Sequence, residues 1–150
     1  MKKFLISLFA LSATALSAVA EDTATLELTG NDQMQYSTKE LSVTEGQKVT
    51  IKFKHIGKLP KAAMGHNVVI LKPDTPTAPF AMKCAQAAAS DYIPADKAST
   101  DLIIAHTKMI GGGEETTVTF TAPAAGKYPY LCTFPGHFGV MNGVLTVKAK

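Results

Sequence analysis

The chain has 150 residues, of which 46% are hydrophobic and 18% charged, a composition typical of a globular protein with a core. Its formal net charge is +3, and all 15 of its strongly basic residues are lysines. Without arginine the chain lacks the side chain best suited to bidentate recognition of phosphate. We therefore expect no nucleic-acid partner.

Residues 1–20 have the pattern of a secretory signal peptide. Lys2 and Lys3 precede a short apolar run, and small residues end the segment. The apolar run is too short for a membrane anchor. We expect cleavage after Ala20, a periplasmic location and no stable membrane association. Residues 21–150 then form one domain, which is nearly neutral once the two leader lysines are removed.

Alternation of apolar and polar residues predicts that most of this domain is β-strand. The clearest amphipathic strand is Lys48–His55, in which Val49, Ile51 and Phe53 share one face and lysines occupy the other. The same pattern, or a short β-branched run, predicts further strands at residues 24–29, 66–71, 102–105, 116–120, 127–132 and 141–148, and short strands or edge pieces at residues 34–36 and 41–43.

Only one stretch, residues 79–89, reads as a helix, because it is rich in alanine and begins with a proline. The glycine run 111–113 is predicted to be a turn and not a phosphate loop, since no helix follows it. The predicted fold is therefore all-β, an antiparallel Greek-key sandwich of seven or eight strands with one short helical excursion.

The stretch between the last two predicted strands carries three metal donors. Cys132, His137 and Met141 follow one another in the spacing C-x4-H-x3-M. Two histidines, one cysteine and a weak axial methionine make up a blue-copper electron-transfer site. We expect an electron-transfer protein and not an enzyme, because no open metal position or water-activating base is indicated. A second histidine is needed from elsewhere.

Three histidines are candidates for that fourth donor. His66 is favoured because it starts a predicted buried strand, from which its ring can project toward another loop. It also follows Gly65, whose lack of a Cβ lets its carbonyl approach a metal. His55 ends a strand and could be a core histidine, and His106 lies at a polar strand end. Spacing alone leaves all three open.

The two cysteines allow two interpretations. In an exported chain, Cys84 and Cys132 would ordinarily form one disulfide. The donor spacing around Cys132 favours metal binding instead. Cys84 is then a lone thiol, expected to be buried and inert in apolar surroundings.

Several segments together resemble the azurins, small blue-copper proteins of the cupredoxin class. The resemblance implies one copper ion bound by His66, Cys132 and His137, with Met141 and the Gly65 carbonyl as long axial ligands. It also implies that Asn67 ties the two ligand segments together and donates toward the Cys132 sulfur. The matching segments keep their order along the chain and are residues 31–35, 55–61, 64–67, 104–108 and 132–137.

The residues around the ligands predict how electrons enter and leave. An apolar surface near His137 would serve transient docking to redox proteins such as c-type cytochromes or copper or haem reductases. By resemblance, His55 can couple its protonation to the redox state. The alternative function is copper binding and delivery. The predicted docking patch consists of Met64, Phe134, Pro135, Gly136, Phe138 and Val140.

Two features depart from the family pattern. Azurins usually carry a disulfide near the start of the mature chain, whereas the first strands here contain no cysteine. Phe138 is bulkier than the small residue expected at that position, which changes the shape of the docking patch. Because the first strands carry no disulfide, the stability of the domain is expected to come from packing alone.

Overall fold

A computed structural model describes residues 22–150, so the predicted signal peptide lies outside the described part of the chain. Eight strands form two sheets, one ordered β1-β3-β6 and the other β2-β8-β7-β4-β5. The predicted all-β sandwich is confirmed. The strands are β1 Thr23–Gly30, β2 Glu40–Thr44, β3 Lys48–His55, β4 Val69–Leu71, β5 Ile103–His106, β6 Glu115–Thr121, β7 Gly126–Leu131 and β8 Asn142–Lys148.

The main core lies between the two sheets and follows the alternation in the sequence. Val49, Ile51 and Phe53 of β3 are at most 1% exposed, and they share a cluster with Tyr130 and Leu145 of the other sheet. Full burial of each such side chain contributes about 1.5–3 kcal/mol. Since a one-residue slip would turn these residues outward, burial also fixes the register of β3.

Two strand pairs depart from the predicted antiparallel arrangement. β1 pairs with β3 in parallel, and β2 pairs with β8 in parallel. Consecutive strands β1 and β2 lie in different sheets, so each is paired with a strand to which no hairpin joins it. Hairpin geometry therefore does not impose an antiparallel direction on these pairs.

The prediction of a short strand or edge piece at residues 34–36 is wrong. Met34 has φ 57°, and only Tyr36 makes a single bridge, to Gly30. The Asn31 side chain accepts hydrogen bonds from the N–H groups of Gln33 and Gln35 at 3.0 and 3.1 Å. This local turn takes the donors that a strand would need.

The described residues contain more helix than the one predicted stretch. Residues 77–101, called the helical excursion below, hold α2 (Thr77–Cys84), a 3₁₀ turn (Ala88–Ser90) and α3 (Lys97–Thr100). Pro79 lies in the first turn of α2, as expected, but the helix ends five residues early. The Asp96 side chain caps α3, a local signal missed in the sequence. A short helix, α1 (Lys61–Met64), lies between β3 and β4.

The helical excursion is held to the sandwich by a second cluster of buried side chains. An eight-residue helix is marginal by itself in water, so this packing supplies most of its stability. Within residues 22–150, no helix combines the length and apolar character needed to cross a bilayer. The buried members of this second cluster are Val69, Leu71, Phe80, Ala81, Cys84 and Leu131.

Candidate metal centre

Three donors meet at one end of the sandwich. Cys132 Sγ lies 3.9 Å from His66 Nδ1 and 3.6 Å from His137 Nδ1. The three ligand atoms all lie within 4.8 Å of one another. The antiparallel register of β4 and β7, with Val69 opposite Leu131, brings the residues before β4 next to those after β7. The tertiary structure thus brings His66 to the loop that starts at Cys132.

The His66 ring is held by a hydrogen bond at Nε2, the ring nitrogen that does not face the thiol. Its Nε2 donates to the carbonyl of Asn31 at 2.8 Å, which leaves the lone pair of Nδ1 facing the thiol. Its backbone exchanges two 2.9 Å hydrogen bonds with Ile110, although it lies outside β4. The predicted strand 66–71 is thus shorter than expected. Bonding at the far nitrogen selects the tautomer that a metal requires.

His137 lies in a short, closed loop. Its backbone carbonyl accepts from the N–H of Met141 at 2.8 Å, and the Met141 carbonyl accepts from the N–H of Cys132 at 3.0 Å. Gly136 has φ 82°, a value that favours glycine and lets the turn close. The His137 ring packs against Phe134 with centroids 4.6 Å apart.

The two predicted axial groups lie beside the cluster. Met141 is fully buried, and its methyl group and the His66 ring flank the same face of Gly30. The Gly65 carbonyl oxygen lies 3.8 Å from Cys132 Sγ. Gly65 is required for space, because a Cβ there would lie 2.7 Å from the carbonyl of Lys61. Axial ligation by Met141 and Gly65 stays a prediction.

Asn67 lies between the two ligand segments, as the resemblance implies. Its Nδ2 donates to the Thr133 hydroxyl at 2.8 Å, and its Oδ1 accepts from the Thr133 N–H at 2.9 Å. Both residues are almost completely buried. The Tyr36 hydroxyl donates to the Asn67 carbonyl and so holds this segment from the core side. The segments that carry His66 and Cys132 are thereby joined next to their ligands.

Burial sets the protonation of the donors. It raises the pKa of the Cys132 thiol to about 12, an effect that the backbone N–H groups of Asn67 and Phe134 oppose. Burial also lowers the pKa of His137 to about 4, and it lowers the pKa of His66. At neutral pH both imidazoles are therefore neutral and able to bind metal. The thiolate needs the positive charge that a metal ion supplies.

These residues fit a copper ion. For metal–ligand bonds of about 2.0–2.3 Å in a trigonal plane, sulfur and nitrogen lie about 3.8 Å apart. The separations of 3.6 and 3.9 Å around Cys132 agree with that value. One thiolate and two imidazoles, with a buried thioether beside them, are also the donor types of a blue-copper site.

The other two candidate histidines are not part of the donor cluster. His55 is fully buried and stacks on His66 with ring centroids 4.3 Å apart. Its Nδ1 accepts from the Gly57 N–H at 3.0 Å, so its Nε2, 2.9 Å from the Met64 carbonyl, is the donor. A pH-linked role for His55 stays a prediction. His106 is exposed at the end of β5.

The residues of the predicted docking patch differ in exposure, and docking itself stays a prediction. Pro135 and Gly136 are exposed, Val140 is 49% exposed, and Met64 and Phe134 are half-buried. Phe138 is half-buried as well, but it also packs against the second cluster under the helical excursion. The bulk of Phe138 is thus explained by this contact.

Both cysteines are free and buried. The disulfide alternative is therefore wrong, because Cys132 lies in the donor cluster while Cys84 packs in the second cluster. Burial raises the pKa of Cys84 to about 12, which keeps it in the unreactive thiol form at neutral pH. This agrees with the expected inert role.

Sequence analysis missed three residues that support the site. The sequence assigns no role to Gly30, Asn31 or Thr133, although Asn31 and Thr133 lie in segments that carry the family resemblance. In the structure, Asn31 holds the His66 ring and Thr133 pairs with Asn67. The position of Thr133 next to Cys132 was a further signal. The role of Asn31 depends on its backbone carbonyl, which leaves no trace in residue type.

Gly30→Ala is expected to destabilise the protein by about 1–3 kcal/mol, because the added methyl group overpacks the site. The Cβ would lie 2.9 Å from the Met141 methyl and 3.1 Å from both His66 Cδ2 and Phe53 Cζ. Chemical denaturation measures the loss. Gly139→Ala is the control, since no atom lies within 4 Å of its Cβ position. Equal stability of the two variants would contradict the prediction.

Copper loading is expected to release about one proton per chain at neutral pH. The proton comes from the Cys132 thiol, whose pKa of about 12 keeps it protonated. His137 releases none, since its pKa of about 4 leaves it neutral. Affinity should therefore rise about tenfold per pH unit between about pH 6 and 9. Calorimetry in buffers of different ionisation enthalpy counts the proton, and no release would contradict these pKa values.

A β-sandwich with a buried His–Cys–His cluster at one end has the fold and the donor types of a blue-copper protein. The sequence model described as "Copper binding proteins, plastocyanin/azurin family" matches residues 23–148. The chain therefore belongs to the plastocyanin/azurin family, and its cofactor is copper.

Individual relatives agree with this assignment. The chain is 42% identical over 124 residues to an azurin of Alcaligenes faecalis, covering 80% of this chain and 94% of that one. It is 45% identical over 127 residues to outer membrane protein H.8 of Neisseria meningitidis serogroup B. That match covers 83% of this chain but only 66% of the relative's length.

Solved structures of blue-copper proteins have the same fold. Auracyanin A of Chloroflexus aurantiacus, described as a "blue" copper protein, has a TM-score of 0.75 at 38% identity. The alignment covers 84% of this chain and 99% of auracyanin A. An azurin from Methylomonas sp. strain J has a TM-score of 0.70 at 38% identity, covering 84% of this chain and 97% of that one.

Proposed function

We propose that the chain is a periplasmic one-electron carrier that cycles a single type 1 copper between Cu(II) and Cu(I). The observation that carries this proposal is the closed donor cluster of His66, Cys132 and His137, of which only the His137 edge is slightly exposed, at 4%. The copper supplies a one-electron couple whose potential its ligands set. The location rests on the predicted signal peptide.

The residues around the cluster keep the donors still, which suits electron transfer. Asn31 fixes the His66 ring, the loop hydrogen bonds fix His137, and the Asn67–Thr133 pair joins their segments. Thiolate favours Cu(I), while imidazole serves both oxidation states. Ligands that keep nearly the same positions in the Cu(II) and Cu(I) states need little reorganisation when an electron is transferred. Burial also keeps out the water that hydrolytic chemistry would need.

We further propose that redox proteins dock at the apolar residues around His137. Pro135, Gly136 and Val140 are exposed there and carry no charge. The expected partners are c-type cytochromes or copper or haem reductases, in brief encounters with small interfaces. Electron-transfer rates with a c-type cytochrome should then depend only weakly on salt. A steep salt dependence would indicate a charged docking surface instead.

A copper-loaded sample tests the carrier function directly. We expect one copper per chain, intense visible absorption in the oxidised form, and a reversible one-electron wave in voltammetry with the copper retained. Copper assay, absorption spectroscopy and voltammetry make these measurements. A colourless protein, or one that loses its copper to a modest chelator, would favour copper delivery and reject the carrier.

A further inference from the structure

The helical excursion contacts Phe134 of the ligand loop and shares a buried cluster with Phe138. Tyr92 packs edge-on against Phe134, with ring centroids 5.3 Å apart and an interplanar angle of 63°. Phe134 in turn packs against the His137 imidazole at 4.6 Å and 35°. The three rings form a continuous column from the excursion to the donor cluster.

On the other side of His137, Phe138 packs against the second cluster, which the helical excursion shares with β4 and β7. To this cluster α2 contributes Phe80, Ala81 and Cys84. Phe134 and Phe138 therefore hold the loop on both sides of His137. Contacts on both sides restrict the movement of the imidazole between them.

The turn that presents Tyr92 has an unusual backbone. Asp91 and Tyr92 are successive residues with φ 52° and 62°, which is uncommon for residues other than glycine. Such a conformation persists only when its surroundings impose it, and it often marks a functional position. Here the Tyr92 N–H donates to the Ala87 carbonyl at 2.9 Å, and the Ser90 hydroxyl lies 2.7 Å from the Ile93 carbonyl.

The same turn is also linked to the other ligand segment. The Asp91 carboxylate lies 2.8 Å from Lys61 Nζ. Lys61 is the first residue of α1, and its carbonyl lies against Gly65, next to His66. Both charged groups are about half exposed, so the ion pair by itself is weak. The turn nevertheless contacts both ligand-bearing segments, through Asp91 and Lys61 on one side and through Tyr92 and Phe134 on the other.

We propose that the helical excursion clamps the metal centre and that Tyr92 is a positioning residue for His137, acting through Phe134. The proposal extends the copper-carrier function and rests on it. Without the Tyr92 ring, Phe134 gains freedom, the His137 ring is less fixed, and water reaches the donors more easily. Because water stabilises the more highly charged oxidised state, the reduction potential should fall.

Tyr92→Ala tests the clamp, with Tyr92→Phe as the conservative variant that keeps the ring. Loss of one aromatic contact should speed copper release to a chelator about threefold to tenfold. It should also lower the reduction potential, whereas Tyr92→Phe should restore both values. Ala98→Gly is the control, since it lowers helix propensity at an exposed position of α3 and leaves the Tyr92–Phe134 contact in place. It should change neither value.

A second measurement uses the metal-free protein and its two buried thiols. Tyr92→Ala should speed labelling of Cys132 by a small thiol reagent about threefold to tenfold. Labelling of Cys84, followed separately by peptide mass spectrometry, should not change. Since Cys84 lies on α2 of the same excursion, general loosening would speed both thiols equally.

The clamp is overturned if Tyr92→Ala leaves copper release, potential and Cys132 labelling unchanged. It is also overturned if Tyr92→Phe behaves like Tyr92→Ala, or if both thiols are labelled faster to the same extent. Failure of the carrier function gives a different result. The unchanged protein would then show no reversible copper couple, while the labelling difference at Cys132 would remain.

Discussion

Cys132→Ala is expected to abolish the intense visible absorption and to weaken copper binding more than about 100-fold. Loss of a residue that only supports a ligand weakens metal binding by up to about 100-fold, so loss of the ligand itself should exceed that value. The thiolate is the only anionic donor in the cluster of His66, Cys132 and His137. With alanine there, two neutral imidazoles remain as the strong donors. Copper titration and absorption spectroscopy measure the effect.

Cys84→Ala is a closely matched control. Both cysteines are fully buried and free, and burial raises the pKa of each to about 12. The same atoms are removed in both variants, so their losses of folding stability should be similar. Only their surroundings differ, since Cys84 packs among apolar side chains. Cys84→Ala should therefore keep the colour and the copper.

Two outcomes would reject this assignment of the thiol. One is a Cys132→Ala variant that still shows the intense absorption, which would place the thiolate ligand elsewhere. The other is equal loss of colour in the two variants. That result would show that folding stability, and not ligation, controls copper binding.

Asn67→Ala is expected to lower the free energy of unfolding of the metal-free protein by about 3 kcal/mol. It leaves the buried Thr133 N–H without its acceptor and removes the bond from Asn67 Nδ2 to the Thr133 hydroxyl. For a domain of this size the melting temperature should fall by about 10 °C. Guanidinium denaturation of the metal-free form separates this loss from any change in copper affinity.

The control for this variant is Thr50→Ala. It also removes a side-chain hydrogen bond, the 3.0 Å bond between the Thr50 and Thr119 hydroxyls, but at an exposed position. Its effect should stay within about 0.5 kcal/mol, as is usual for surface sites. If Asn67→Ala cost no more than Thr50→Ala, the Asn67–Thr133 pair would not be what joins the ligand segments.

Cys132→Ala and Asn67→Ala act on different parts of the metal centre. Cys132 supplies the ligand itself, whereas Asn67 holds the segments that bring the ligands together. The first substitution should remove copper from a folded protein. The second should weaken the fold even when no copper is bound. Together these two results would show that the copper site depends on a scaffold that is folded before the metal enters.

Local sequence determined most of the strands and three of the expected ligands. Alternating residues in β3 predicted its exact bounds, Lys48–His55, because one buried face imposes a period of two. The spacing of Cys132, His137 and Met141 is a property of one short loop, and such a loop can be interpreted without knowing the rest of the fold. The copper class followed from donor chemistry alone.

Only the tertiary structure decided how distant residues meet. Spacing left His55, His66 and His106 open, and the pairing of Val69 with Leu131 selected His66. Residue types do not encode such long-range register, because it arises when the faces of different strands are buried together. For the same reason the supporting carbonyl of Asn31 and the contact of Tyr92 with the ligand loop became visible only in the folded chain.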